Sequence, residues 1–129
     1  YFYPKDNTPG CTLEANEFSE FDDDLAKLDT IVIGISRDDC LSHASFRDKY
    51  GLSVLLLSDP EARVCKRYGV MIEKEACTEP GRKVDGHKKH VIQRSTFVID
   101  KRGILRHVMY GVHAHGHAQE IFNLIKELK

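Results

Sequence analysis

The run Thr30–Ser36 (TIVIGIS) does most to narrow what this chain can become, because its apolar residues are consecutive rather than alternating. Alternation marks a strand wetted on one face. A continuous β-branched run closed by Gly34 and Ser36 marks a strand buried on both, as at the centre of a parallel sheet. Helical patterns flank it. Before it, Leu13, Phe18, Phe21, Leu25 and Leu28 keep near-helical spacing over residues 12–28, with Glu14, Glu17, Glu20 and Asp22–Asp24 mostly on the opposite face. After it, Ser36, Asp38 and Asp39 offer caps for a helix over Cys40–Tyr50 that Gly51 ends, and Val54–Leu57 supplies the next strand. Tyr1–Tyr3 is an aromatic, strand-forming run stopped by Pro4. The order β-α-β-α-β implies parallel strands joined by right-handed helical crossovers.

The remaining chain completes the pattern. Asp59-Pro60 opens a short helix over Glu61–Tyr68, ended by Gly69, whose stripe of Ala62, Cys65 and Tyr68 places Cys65 in the core. Glu73–His90 is charged, carries Pro80, Gly81 and Gly86, and lacks a sustained apolar period, which predicts an exposed, mobile loop. Ser95–Asp100 and Ile104–Tyr110 flank Lys101-Arg102-Gly103 and form an antiparallel hairpin, and Gly116–Leu128 is an amphipathic helix through Ile121, Leu124, Ile125 and Leu128. The result is an α/β chain of thioredoxin-like pattern, with a central mixed sheet flanked by helices. A length of 129 residues suits one domain.

Chemistry concentrates at the carboxyl ends of the three parallel strands, near Pro4, Ser36 and Asp59, where open α/β sheets bind ligands. Asn7-Thr8-Pro9-Gly10 supplies a turn, and a helix opens near Cys11. Unpaired N–H groups and the positive end of the helix dipole favour thiolate over thiol there, and the thiolate is the form that attacks peroxides and disulfides. A buried cysteine used as a small apolar residue is the plainer alternative; the Thr, Pro and Gly neighbours argue against it. Cys40 opens the helix after the second parallel strand and so starts at the same edge. If the strand after Arg94 returns antiparallel beside Tyr1–Tyr3, Arg94 reaches that edge too, although position alone favours an ordinary surface ion pair. Cys11-Thr12-Leu13-Glu14 lacks the second thiol of a disulfide-exchange motif. His113-x-His115-x-His117 has the look of a metal tract, yet two of its histidines precede the helix and no Cys or carboxylate cluster accompanies them, so no metal is assigned.

Composition excludes more than it assigns. A net charge of −1 without a long Lys/Arg run gives no electrostatic reason to expect nucleic acid or a membrane surface as partner. The longest apolar runs are too short to span a bilayer, and no secretory leader is visible. Four cysteines without a CxxC pair fit a reducing compartment such as the cytoplasm. The chain opens inside a strand and without Met, which predicts that N-terminal strands, with any targeting segment, lie upstream.

Against this background Pro4-x-x-x-Thr8-x-x-Cys11 resembles the peroxiredoxin active-site motif. Thr8-Pro9-Gly10-Cys11-Thr12 with Glu14-Ala15 is similar to the bacterioferritin comigratory protein, or peroxiredoxin Q, branch. Gly34-Ile35-Ser36, Leu57-Ser58-Asp59, Tyr68-Gly69-Val70, Arg94-Ser95-Thr96-Phe97 and Gly116-His117-Ala118 resemble that branch in the same order. The resemblance implies a thioredoxin-like peroxidase that needs no cofactor. It would reduce hydrogen peroxide and organic hydroperoxides through a cysteine sulfenic acid and be recycled by thioredoxin or another thiol donor, as a monomer or weak dimer. A non-catalytic thioredoxin-like interaction or metal-binding module is the alternative. By resemblance Cys11 is the nucleophile, Thr8 and the Cys11 N–H contact the peroxide, Pro4 shields the sulfur, and Arg94 donates to sulfur and substrate. Glu14 either orients Arg94 or serves as a simple dipole partner. Two departures stand out: Asn16 occupies a position where many members carry a second cysteine, and Glu73–His90 is long. A resolving thiol must therefore be Cys40, favoured by its place at the edge, or Cys77 in the long segment, unless an external thiol does the work.

Overall fold

The shortest strand is the one that holds the sheet together. In the computed structural model, which describes residues 1–75 and 88–128, Tyr1–Tyr3 is reduced to an isolated bridge at Phe2 rather than the full strand expected. Phe2 pairs in parallel with Ile35 and antiparallel with Ser95. The backbone bonds are Tyr3 N–H to Ile35 O at 3.0 Å and Ile35 N–H to Tyr1 O at 2.8 Å on one side, and Phe2 N–H to Ser95 O at 2.8 Å on the other. On the first side β1 (Ile33–Ser36) runs parallel to β2 (Leu55–Ser58); on the second β5 (Ser95–Ile99) runs antiparallel to β6 (Leu105–Tyr110). The sheet is mixed, in the order β2-β1-Phe2-β5-β6, and the fold is thioredoxin-like.

Helices follow the sequence signals closely. α1 (Pro9–Ala26) starts at a proline, as first-turn prolines do. α2 (Cys40–Tyr50) is capped by Asp39, whose carboxylate accepts from Ser42 N at 2.7 Å, and Gly51 closes it at φ 62°. α3 (Arg63–Arg67) is shorter than expected; Asp59 accepts from Cys65 N at 2.8 Å, and Cys65 is fully buried as its stripe predicts. α4 is His117–Leu128. A core of Phe18, Leu25, Phe46, Val98, Ile121 and Ile125 ties α1, α2 and α4 to the sheet, and a smaller one gathers Phe2, Cys65, Val70 and Ile92.

Three further expectations need correction. The strand in Thr30–Ser36 begins only at Ile33, because Thr30 N still bonds Leu25 O at 3.0 Å as the chain leaves α1, and Ile31 is 71 % exposed. Its burial alternates, with Gly34 and Ser36 buried and Ile33 and Ile35 half-buried. Glu14 was expected on the polar face of α1 but is fully buried, while Leu13 is exposed; the inward stripe runs through Cys11, Glu14, Ala15 and Phe18. Finally, Glu73–His90 is not a loop at its ends. β3 (Met71–Glu75) and β4 (Lys88–Ile92) form an antiparallel ribbon, from Met71 opposite Ile92 to Glu75 opposite Lys88. Such a ribbon needs apolar residues only at its base, where Met71 and Ile92 join the smaller core, so its polar composition hid it. Residues 76–87, and with them Cys77, lie outside the described residues.

Candidate active site

The turn before α1 delivers Cys11. Asn7 takes up left-handed backbone at φ 62°, a conformation asparagine tolerates, and Thr8 then stands at the N-cap in extended conformation. Thr12 N–H is the first to find an acceptor within the helix, Thr8 O at 2.9 Å. The N–H groups of Gly10 and Cys11 precede it and have no carbonyl in the helix to bond. The Thr8 hydroxyl donates to Lys5 O at 2.8 Å, which leaves its oxygen free to accept.

Arg94 arrives from the opposite strand of the sheet. Because β5 runs antiparallel to Tyr1–Tyr3, its N-terminal end lies beside the point where the chain leaves the sheet for Cys11. The guanidinium divides its bonds: Nη1 donates to Glu14 Oε1 at 2.8 Å, and Nη2 to Cys11 Sγ at 3.3 Å. Gly10 makes room for it, since a Cβ there would sit 3.1 Å from Arg94 Nη2. Burial pushes the Glu14 carboxyl up to about 7 even though Arg94 pulls the other way. Its second oxygen, Oε2, is buried without a hydrogen-bond partner among the described residues. The structure thus brings Cys11, Arg94 and Glu14 into contact, with Thr8 one turn away and Pro4 exposed at the end of the central bridge.

Cys40 stands apart from this group. It is the exposed first residue of α2, whereas Cys11 is buried, and both are free thiols. Cys65 is held inert by burial, which with the nearby Asp59 pushes its thiol up to about 12. Two of the three histidines near α4 face different partners: His115 lies 3.3 Å from Glu17, and buried His117 meets the Thr96 hydroxyl at 2.7 Å. Among the described residues the three do not form a cluster of ligand atoms.

A second polar cluster escaped sequence reasoning. Asp6, Asp38 and His43 place donor atoms within 4.8 Å of one another, with Asp6 and His43 buried. Asp6 reads as a turn residue, and only the position of His43 on the inward face of α2 beside Phe46 hints at a buried partner. Cation-site spacing is not enough here, because both Asp6 oxygens and both His43 nitrogens already have hydrogen-bond partners within the protein.

A thioredoxin-like domain that sets one cysteine in the first turn of a helix, beneath an arginine, defines a thiol-dependent peroxidase. Residues 1–108 match the AhpC/TSA family, and the chain belongs to that family. Its relatives place it in the peroxiredoxin Bcp, or peroxiredoxin Q, branch. Peroxiredoxin Bcp of Bacillus subtilis is 38 % identical over 128 residues, covering 99 % of this chain and 76 % of its own length. Among solved structures, the bacterioferritin comigratory protein of Xanthomonas campestris, studied for its alkyl peroxide reduction activity, superimposes with a TM-score of 0.88 at 32 % identity, over 99 % of this chain and 76 % of that one. A Cys-to-Ser variant of Xylella fastidiosa peroxiredoxin Q gives a TM-score of 0.88 at 36 % identity, over 99 % and 74 %.

Proposed function

We propose that Cys11 is the peroxidatic nucleophile and that Arg94, Thr8 and the free N–H groups at the start of α1 form the peroxide site. One observation carries this reading: Arg94 touches Sγ with one nitrogen while a fully buried carboxylate holds the other, so the donor is fixed before substrate arrives. The thiolate attacks the nearer peroxide oxygen. An S–O bond forms as the O–O bond breaks, sulfur is oxidised to sulfenic acid, and the departing alkoxide or hydroxide takes up a proton. Arg94 and the Cys11 N–H donate to the oxygens as charge moves along them, and the Thr8 oxygen accepts a hydrogen bond from the hydroperoxide O–H to align the bond. Pro4 limits water around the sulfur, and Glu14 orients Arg94. Hydrogen peroxide and organic hydroperoxides both present the O–OH group this arrangement would bind.

Recycling follows from the thiols at hand. Cys40 condenses with the sulfenic acid, releasing water and leaving a Cys11–Cys40 disulfide that thioredoxin or a similar dithiol reduces. A route within one chain needs no second subunit, which supports a monomer or weak dimer. Four cysteines without a CxxC pair support a reducing compartment such as the cytoplasm. Among the described residues no helix is long and apolar enough to cross a membrane. The test is hydroperoxide consumption coupled to a dithiol donor. The parent is expected to turn over and Cys11→Ser to be silent; consumption that survives Cys11→Ser overturns the assignment.

A further inference from the structure

Two of the groups assigned above, Pro4 and Thr8, sit on a turn with little apolar anchorage. Pro4, Lys5 and Asn7 are exposed, and Asn7 holds left-handed backbone that nothing in its own side chain enforces. Asp6 alone in this turn is buried, at 4 % exposure, and its polar groups are tied in several directions. Its N–H donates to Asp38 Oδ2 at 2.8 Å, which fixes the turn to the end of β1. The Tyr3 hydroxyl donates to Oδ1 at 2.6 Å; Ser42 Oγ donates to Oδ2 at 2.8 Å; and His43 Nδ1 lies 2.7 Å from Oδ2.

The protons in this cluster can be counted. His43 Nε2 lies 3.0 Å from Leu57 O, and a carbonyl only accepts, so Nε2 carries a hydrogen. The close contact from Nδ1 to the carboxylate holds one more proton between two acceptors. His43 and Asp6 therefore form a hydrogen-bonded buried pair that joins α2 and the β2 backbone to the turn before α1.

We propose that Asp6 is a positioning residue for peroxide reduction: pinned by His43, Ser42, Tyr3 and Asp38, it fixes the Pro4–Thr8 turn so that the Thr8 oxygen and the first N–H groups of α1 meet the peroxide over Cys11. This role rests on the peroxidase reading above. Asp6 touches neither sulfur nor substrate; it sets where those that do are held. A displacement of about an ångström in such groups is enough to cost on the order of a hundredfold in rate.

The test compares Asp6→Ala and Asp6→Asn with the parent. Asparagine keeps the shape: its amide nitrogen can donate to a neutral His43 Nδ1 while its oxygen still accepts from Tyr3. Two rates are measured on Cys11, hydroperoxide reduction by competition against a haem peroxidase and alkylation by iodoacetamide, which needs the thiolate but no aligned O–O bond. Asp6→Ala is expected to slow peroxide reduction about tenfold or more without slowing alkylation, and Asp6→Asn to stay within about threefold of the parent. A core variant remote from the turn, Ile121→Val, controls for lost stability and is expected to leave both rates unchanged. Should Asp6→Ala fail to fold, Ser42→Ala, which removes one tie only, is expected to show the same split in smaller degree. An active parent whose Asp6 and Ser42 variants keep the full peroxide rate, or lose peroxide reduction and alkylation together, overturns the positioning role alone. A parent that consumes no peroxide overturns the peroxidase reading and this role with it.

Discussion

Arg94 works in two directions at once, and that geometry separates it from a generic cation. The fork lies 2.8 Å from Glu14 Oε1 and 3.3 Å from Cys11 Sγ, on two different nitrogens of one rigid plane. Lysine keeps the charge but offers a single point, so Arg94→Lys should leave iodoacetamide labelling of Cys11 near the parent level while peroxide reduction falls by about a hundredfold. Retention of the parent peroxide rate would remove Arg94 from the mechanism. Glu14 makes a prediction of its own. Its carboxyl sits at about 7 in the folded chain against 4.5 ordinarily, burial being the main cause and Arg94 the opposing one. The folded state therefore holds this proton more tightly than the unfolded state, so the associated stability is present below about pH 4.5 and is lost as pH rises towards 7. Denaturant titrations at pH 5 and pH 8 should show the parent losing on the order of 2 kcal/mol relative to Glu14→Gln across that interval. Parallel pH profiles for the two proteins would show that Glu14 is ionised throughout.

At the scale of elements, the sequence was legible where local chemistry decides and opaque where distant partners do. α2 could be bounded from Asp39 to Gly51 because a cap and a left-handed stop are local devices, and both operate as expected. The placement of Cys11 at the start of α1 followed from Pro9 and the turn before it, and the return of Arg94 from the direction of β5. The burial of Glu14 was not readable from α1, because a carboxylate enters a core only when something far along the chain neutralises it, and Arg94 stands 80 residues away. The ribbon of β3 and β4 was missed because its pairing satisfies backbone groups whatever its side chains are, so a polar segment shows no apolar alternation. Asp6 and His43 were overlooked for the reason that hid Glu14: each looks like a surface residue until its partner is known. Beside that ribbon, the sequence conceals long-range polar pairs, and both clusters adjoin the start of α1.

For the molecule as a whole, the proposed catalytic edge and the apolar core lie in different parts of the structure, and the proposed reducing cycle would depend on that division. Cys11 is buried and Cys40 exposed, yet a disulfide requires their Cα atoms within about 4.4–6.8 Å. The first turns of α1 and α2 can supply the movement. The proposed pairing would open the earliest helix bonds, such as Thr12 N to Thr8 O and His43 N to Asp39 O, and oxidation of Cys11 to a sulfenic acid replaces the anionic sulfur that Arg94 contacts with a neutral group. The rest of each helix is anchored by large buried side chains, Phe18 and Leu25 in α1 and Phe46 in α2, packed with α4 in the main core. On the proposed pairing the change would be confined to the edge while the sheet and α4 stay folded. After one equivalent of hydroperoxide, peptide mapping under non-reducing conditions should recover a Cys11–Cys40 cross-link that Cys40→Ser abolishes. Hydrogen exchange of the oxidised protein should rise over residues 8–12 and 39–43 and remain at reduced-state levels across α4 and β1. Cys40 left free while Cys11 is sulfenic or joined to Cys77 would reject the pairing, and loss of protection across α4 would show that oxidation loosens the whole molecule rather than its edge.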